Sequence, residues 1–154
     1  MGKFQQARLL ALLLPAALLA GAFGSQYIGG LAPCEMCYWQ RYPHEAAVVI
    51  ALFTFTGRSE LTNRILLLLA ATAIAVSGGI GVFHAGVEYG WWEGLTRCAT
   101  MPGTGGGNII DDIMKTPLVR CDVPQWTLFG ISLAGYNAIV SFAGAFGILR
   151  LLQK

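Results

Sequence analysis

The chain carries four cysteines, Cys34, Cys37, Cys98 and Cys121, and the first two sit in CEMCYWQR, residues 34–41, with Arg41 four positions after Cys37. Two thiols three positions apart can clip a metal, staple a loop or cycle between dithiol and disulfide. CxxC geometry can expose one sulfur to a helix terminus or a cation, which lowers its pKa and favours the reactive thiolate. Arg41 supplies a cation, and a helix beginning at Pro43 would point its positive N-terminal end the same way. A single helix from Cys34 through Ala51 would make Cys37 and Arg41 face each other, but Pro43 would then clash with the carbonyl of Trp39. The sequence therefore predicts that Cys34 to Tyr42 forms a tight loop entering the helix.

Outside the cytoplasm thiols oxidise, and the natural pairs are Cys34 with Cys37 and Cys98 with Cys121. Loop-closure entropy assigns roughly 3.4 kcal/mol to the long ring but only about 2 kcal/mol to the short one, so the CxxC ring is a poor staple. Zinc held by all four thiolates is the inorganic alternative. Two CxxC knuckles are the strong form of that signal, whereas Cys98 and Cys121 are far apart with the glycine joint TGGG, residues 104–107, between them.

The elements that must position these groups follow from composition. Of 154 residues, 55% are apolar and 12% charged, about half the charge of a soluble domain. Uncharged runs cover Leu9–Cys34, Ala46–Gly57, Ile65–Val87 and Val123–Leu149. The first, third and fourth exceed the roughly 20 residues needed to cross the hydrocarbon core. The second is shorter and must draw in Tyr42, Pro43, His44 and Glu45, or let Arg58 snorkel. Lys3 and Arg8 before an apolar run, with Ala20, Gly21 and Ala22 beyond, also fit a cleaved signal peptide, but the apolar run continues past that point to Ile28. The expectation is an all-α, polytopic four-helix membrane bundle forming a single integral membrane domain over residues 1–154. Its spans are placed at about 8–26, 43–58, 64–85 and 126–149, with outer loops at about 27–42 and 86–125.

Charge sets the orientation. Lys3, Arg8, Arg58, Arg64, Arg150 and Lys154 fall on one side; Arg41, Arg97, Lys115 and Arg120 fall on the other, with seven of the eight acidic residues and all four cysteines. Lysine and arginine concentrate in short cytoplasmic segments, so both termini read as cytoplasmic. Trp39, Trp91, Trp92 and Trp126 then lie near the outer interface, where indoles prefer to sit. In the long loop, Asn108 can cap a short helix with Ile109, Ile110, Ile113 and Met114 on one face. That helix either lies on the bilayer surface or packs as a small apolar patch on the bundle. The net charge of +2, spread without basic runs, gives no footprint for nucleic acid.

With CEMCYWQR after the first span, FHAGVEYGWWEGLTRC leaving the third and CDVPQWTLFGISLAGYN entering the fourth, the chain resembles the disulfide bond formation protein B (DsbB) family, bacterial inner-membrane thiol:quinone oxidoreductases. The resemblance implies a membrane thiol oxidase with its cysteines on the periplasmic side. It would reoxidise a periplasmic DsbA-like, thioredoxin-fold dithiol oxidase and pass the electrons to a membrane quinone, ubiquinone or menaquinone. It implies that Cys98 is attacked by the partner's thiolate and that Cys121 is its disulfide mate. Cys34 and Cys37 would receive the electrons, and Cys37 would meet the quinone as a thiolate beside Arg41. Such a partner is a strong oxidant, and the resemblance implies that a quinone reoxidises it. The loop departs from the best-known family layout in its glycines at 103–107 and its double tryptophan.

His84 and Glu88, four apart at the outer end of the third span, would share a helix face. They read either as a proton relay or quinone contact, His84 above all because a family histidine lies in a similar place, or as a hydrogen-bonded pair tying helix to loop. His44 with Glu45 is a weaker pair of the same kind. Two other functions fit four spans with cysteines. A reductase of the vitamin K epoxide reductase type carries its CxxC late and its loop cysteines early, the reverse of the order here. A stapled scaffold would leave the Cys34–Cys37 bond inert.

Overall fold

The computed structural model describes residues 2–57, 59–95, 99–100 and 118–153. Among these, four helices form an all-α membrane bundle: α1 Lys3–Tyr27, α2 Glu35–Phe53, α3 Glu60–Glu88 and α4 Leu133–Leu152. Short antiparallel pairs join β1 Ala99–Thr100 to β2 Leu118–Val119, and β3 Thr127–Leu128 to β4 Ile131–Ser132. α1 packs on α2 and α4, α3 packs on the same two, and α1 and α3 barely touch, so the helices form a ring in chain order. At 1.5 Å per residue, α1, α3 and α4 rise about 38, 44 and 30 Å, and all three are long and apolar enough to cross a membrane. The outward faces carry Leu13, Leu52, Leu61, Leu69, Ile139 and Phe146, as a lipid solvent requires.

Inside, Ala7 and Ala11 of α1, Ala47 and Ala51 of α2 and Ala70 and Ala71 of α3 pack around Leu67, Ile74 and Ile148. Small residues let helix backbones approach, which is how bundles gain packing when lipid removes the hydrophobic drive between helices. At the α3–α4 seam the backbones themselves come close: a Cβ on Gly81 would sit 2.9 Å from the Ala134 carbonyl oxygen and 3.1 Å from the Ala138 nitrogen.

The expected loop from Cys34 to Tyr42 is overturned, because α2 starts at Glu35 and carries Pro43 inside it. The Cys34 sulfur caps the helix by accepting the Cys37 N–H at 3.3 Å, and Glu35 complements the positive end of the dipole in the first turn. Pro43 removes one backbone bond, that of the Trp39 carbonyl, and neighbouring helices can hold such a helix together. Cys37, Gln40, Arg41 and His44 consequently occupy one face.

Residues 127–132, assigned by the sequence to the fourth span, form a hairpin instead. Its turn places Phe129 and Gly130 at φ 51° and 77°, as a two-residue turn matched to strand twist demands. Tyr89, at the end of α3, pins it: its hydroxyl donates to the Gly130 carbonyl and accepts from the Ser132 N–H, both at 2.8 Å. Ser132 then caps α4 through the Gly135 N–H. The glycine joint and the helix expected after Asn108 lie outside the described residues.

Gly79, unlike Gly81, has open space where a Cβ would go. Gly81→Ala should therefore destabilise the bundle by about 1–3 kcal/mol through overpacking, while Gly79→Ala leaves it unchanged or gains about 0.5–1 kcal/mol of helix propensity. Thermal unfolding of both variants in detergent checks this; equal melting points would show that α3 and α4 can slide apart at no cost.

Candidate functional site

At the mouth of the bundle, the Cys34 and Cys37 sulfurs lie 3.1 Å apart at the N-terminus of α2, ahead of the helix's apolar half. Cys121 is buried in the same cluster as Cys34, with Met36, Val87 and Val119. The pairing of Ala99 with Val119 closes the long loop next to this cluster. Cys98 lies outside the described residues. Below the sulfurs a cavity of about 260 Å³ opens between Leu18, Gly21 and Ala22 of α1 and a polar wall that includes Cys37, Arg41, His44, His84 and Asn137.

His84 meets the cysteines through α3. Its Nε2 lies 3.5 Å from the Cys34 sulfur and 3.7 Å from Glu88 Oε1, with both side chains buried, so the expected His84–Glu88 proximity is present and is joined by a sulfur. Gln40 sets the ring's orientation. Its Nε2 donates to the Met36 carbonyl at 3.1 Å and to His84 Nδ1 at 2.8 Å, which leaves the His84 proton on Nε2, toward Cys34. Gln40 Oε1 accepts from Asn137 Nδ2 at 2.9 Å, and that same nitrogen reaches the Ser77 carbonyl and hydroxyl. Ser77 donates back to the Gln40 carbonyl at 2.7 Å. With its amide oriented in this way, Asn137 presents Oδ1 to Ser141 Oγ at 3.2 Å and to His44 Nε2 at 2.9 Å. Gln40, Ser77, Asn137 and Ser141 were not anticipated from the sequence. The available signal was polar residues at helical spacing within apolar runs, Gln40 four before His44 and Asn137 four before Ser141.

Arg41 lines the cavity but reaches α1 rather than a sulfur. It donates to Gln26 Oε1 at 2.6 Å and to the Ala22 carbonyl at 3.1 Å, with its guanidinium over the rings of Phe23 and Tyr38. Its charge therefore acts on Cys37 through space.

Ligand atoms of Cys34, Cys37 and His84 lie within 4.8 Å of one another, so a metal has to be weighed. Two thiolates on a tetrahedral zinc, each at about 2.3 Å, stand roughly 3.8 Å apart. The 3.1 Å separation here is a thiol donating to its neighbour, which fits a dithiol better.

That contact splits the two sulfurs. The Cys37 thiol is held below its ordinary pKa, chiefly by the bond it accepts from Cys34 and further by the Cys34 backbone and the Arg41 charge, with burial working against them. The Cys34 thiol is pushed up, first by the same bond and then by burial. Folding thus favours the Cys37 thiolate, a contribution fully present above the unfolded thiol's pKa and lost as pH falls through the depressed one. In the reduced protein, iodoacetamide should label Cys37 before Cys34, with a midpoint below that of a free thiol. Arg41→Gln should move that midpoint to higher pH. Labelling followed by peptide mass mapping across pH reads both, and equal labelling of the two cysteines would contradict the asymmetry.

Comparison with known proteins agrees with this geometry. The family model for disulfide bond formation protein DsbB matches residues 4–151. A disulfide bond formation protein B from Herminiimonas arsenicoxydans is 39% identical over 126 residues, 72% of this chain and 77% of its own length. One from Alkalilimnicola ehrlichii is 30% identical over 166 residues, covering 94% of this chain and 93% of itself. The uncharacterized protein RP370 of Rickettsia prowazekii is 27% identical over 127 residues, covering 80% and 73%. No solved structure matches the chain. With three helices fit to cross a membrane and a paired-thiol site at their mouth, the chain belongs to the DsbB family of disulfide bond formation proteins and is a membrane disulfide oxidoreductase.

Proposed function

We propose that this protein reoxidises a periplasmic DsbA-like dithiol oxidase and hands the electrons, through two disulfides in turn, to a membrane quinone. The observation that carries this reading is the burial of Cys121 in one cluster with Cys34, whose sulfur lies 3.1 Å from that of Cys37. Two disulfides can exchange only if a sulfur of one reaches a sulfur of the other, and this cluster supplies that meeting point.

The sequence of bonds follows from thiol chemistry. A partner thiolate attacks Cys98 in the Cys98–Cys121 disulfide and Cys121 leaves. The partner's second thiol then displaces Cys98, and the partner departs oxidised. The Cys121 thiolate attacks Cys34 in the Cys34–Cys37 disulfide and expels Cys37, the better leaving group because its pKa is lowered. Cys98 attacks Cys121, restoring the outer disulfide and releasing Cys34. The balance is one disulfide gained by the partner and two electrons with two protons held on Cys34 and Cys37.

Quinone, when bound, supplies the two-electron oxidant and takes up both protons. The cavity fits its head: about 260 Å³ is near the lower end of small-molecule sites. Its α1 wall is apolar except for Ser25, and its polar wall brings the Cys37 sulfur, the Arg41 charge and His84 to one space. The orientation that serves this chemistry puts both termini in the cytoplasm and the cysteines in the periplasm of the bacterial inner membrane; the segregation of charges in the sequence supports it.

The test is loss of quinone absorbance by detergent-solubilised protein supplied with a reduced DsbA-like oxidase. The parent should turn over with ubiquinone or menaquinone analogues, and Cys37→Ser and Cys98→Ser should each abolish turnover while folding normally. Turnover persisting without Cys37, or absent from the parent with every quinone tried, overturns the relay.

A further inference from the structure

The polar chain from His84 through Gln40 and Asn137 ends on a second histidine that the relay does not use. His44 is 3% exposed and lines the cavity. Its Nε2 faces Asn137 Oδ1, an oxygen that also accepts from Ser141, so the ring proton sits on Nε2. Nδ1, on the ring's other edge, is then a bare acceptor, and among the described residues it is buried with no hydrogen-bond partner. A buried acceptor left without a donor is destabilising, so a ligand that brings one is favoured there.

We propose that His44 is a second polar contact for the bound quinone ring, one that recognises the reduced form by taking a quinol hydroxyl on Nδ1. The inference rests on the quinone reading above. Quinone carbonyls present only lone pairs, as Nδ1 does, whereas quinol hydroxyls donate. His44 therefore discriminates between the two oxidation states of one ligand. A site that binds quinol more tightly than quinone raises the potential of the bound couple, by about 30 mV for a tenfold preference in a two-electron reaction. That draws electrons off Cys34 and Cys37. His44 acts on the ligand, while Asn137 and Ser141 are positioning residues that hold its tautomer.

Two substitutions separate the ring's two edges. His44→Gln keeps a donor for Asn137 at the Nε2 position and removes the acceptor; His44→Asn keeps an acceptor near the Nδ1 position and removes the bond to Asn137. Anaerobic calorimetric titration of the oxidised, detergent-solubilised protein with a short-tailed ubiquinone and its quinol gives both Kd values, and thermal unfolding reports the packing. His44→Gln should weaken quinol binding about five- to tenfold and leave the quinone Kd within about twofold. His44→Asn should lower the melting point and keep the parent's quinol preference. A quinol-to-quinone Kd ratio unchanged in His44→Gln, or lost in His44→Asn, overturns the assignment, and either variant decides it if the other does not fold. Failure of the quinone reading itself shows in the parent, which would then bind neither form.

Discussion

Gln40 has one amide, and the bundle uses all of it. Its two N–H bonds go to the Met36 carbonyl and His84, and its oxygen takes Asn137, so one side chain ties α2, α3 and α4. In a membrane interior nothing else can satisfy these groups, and a stranded one costs about 1–3 kcal/mol. The path of α2 follows. Gln40 reaches the Met36 carbonyl and shares a face with His44 only if the helix is already formed before Pro43. Carrying proline inside a helix costs about 3 kcal/mol. Breaking the helix there would strand His84 Nδ1 and the amide groups of Gln40 and Asn137 together, which costs more. The hub outweighs the proline.

The same continuity creates the difference between the two sulfurs. With the helix beginning at Glu35, Cys34 becomes its cap and Cys37 lies in its first turn, where N–H groups and the dipole favour a thiolate. A loop would have left both cysteines in similar surroundings. Arg41 completes the asymmetry from a distance. Bonded to Gln26 and the Ala22 carbonyl, it is held as a fixed charge that lowers the Cys37 pKa without forming an ion pair that would mask the sulfur.

What could be read from the sequence, and what could not, divides along the range of the interactions. Apolar run length and the order of the cysteines sufficed for a helical membrane bundle of this family, and the four-residue spacing of His84 and Glu88 sufficed for their contact, because each depends on local composition. The start of α2 did not emerge, since the local rule for Pro43 was overridden by bonds to α3 and α4. Asn137 is 97 residues from Gln40, and no periodicity links them. The hairpin before α4 was hidden for another reason: Phe129 takes a positive φ that its side chain disfavours, and the clamp from Tyr89 that accompanies it comes from another helix.

The cavity owes its existence to a change in how α1 is attached along its length. Near its N-terminus, Ala7 and Ala11 pack directly into the alanine core with Ala47 and Ala51, and Arg8 bonds the Thr54 carbonyl at the far end of α2. Toward the other end, α1 presents Leu18, Gly21 and Ala22 to open space and is held by Arg41. A long side chain spans the gap that alanines close below, and the helices are kept apart by the length of that arginine. α2 is therefore the least apolar of the four helices for a structural reason: the residues that make it polar, Gln40, Arg41 and His44, are those that keep α1 in place and line the space beneath the sulfurs.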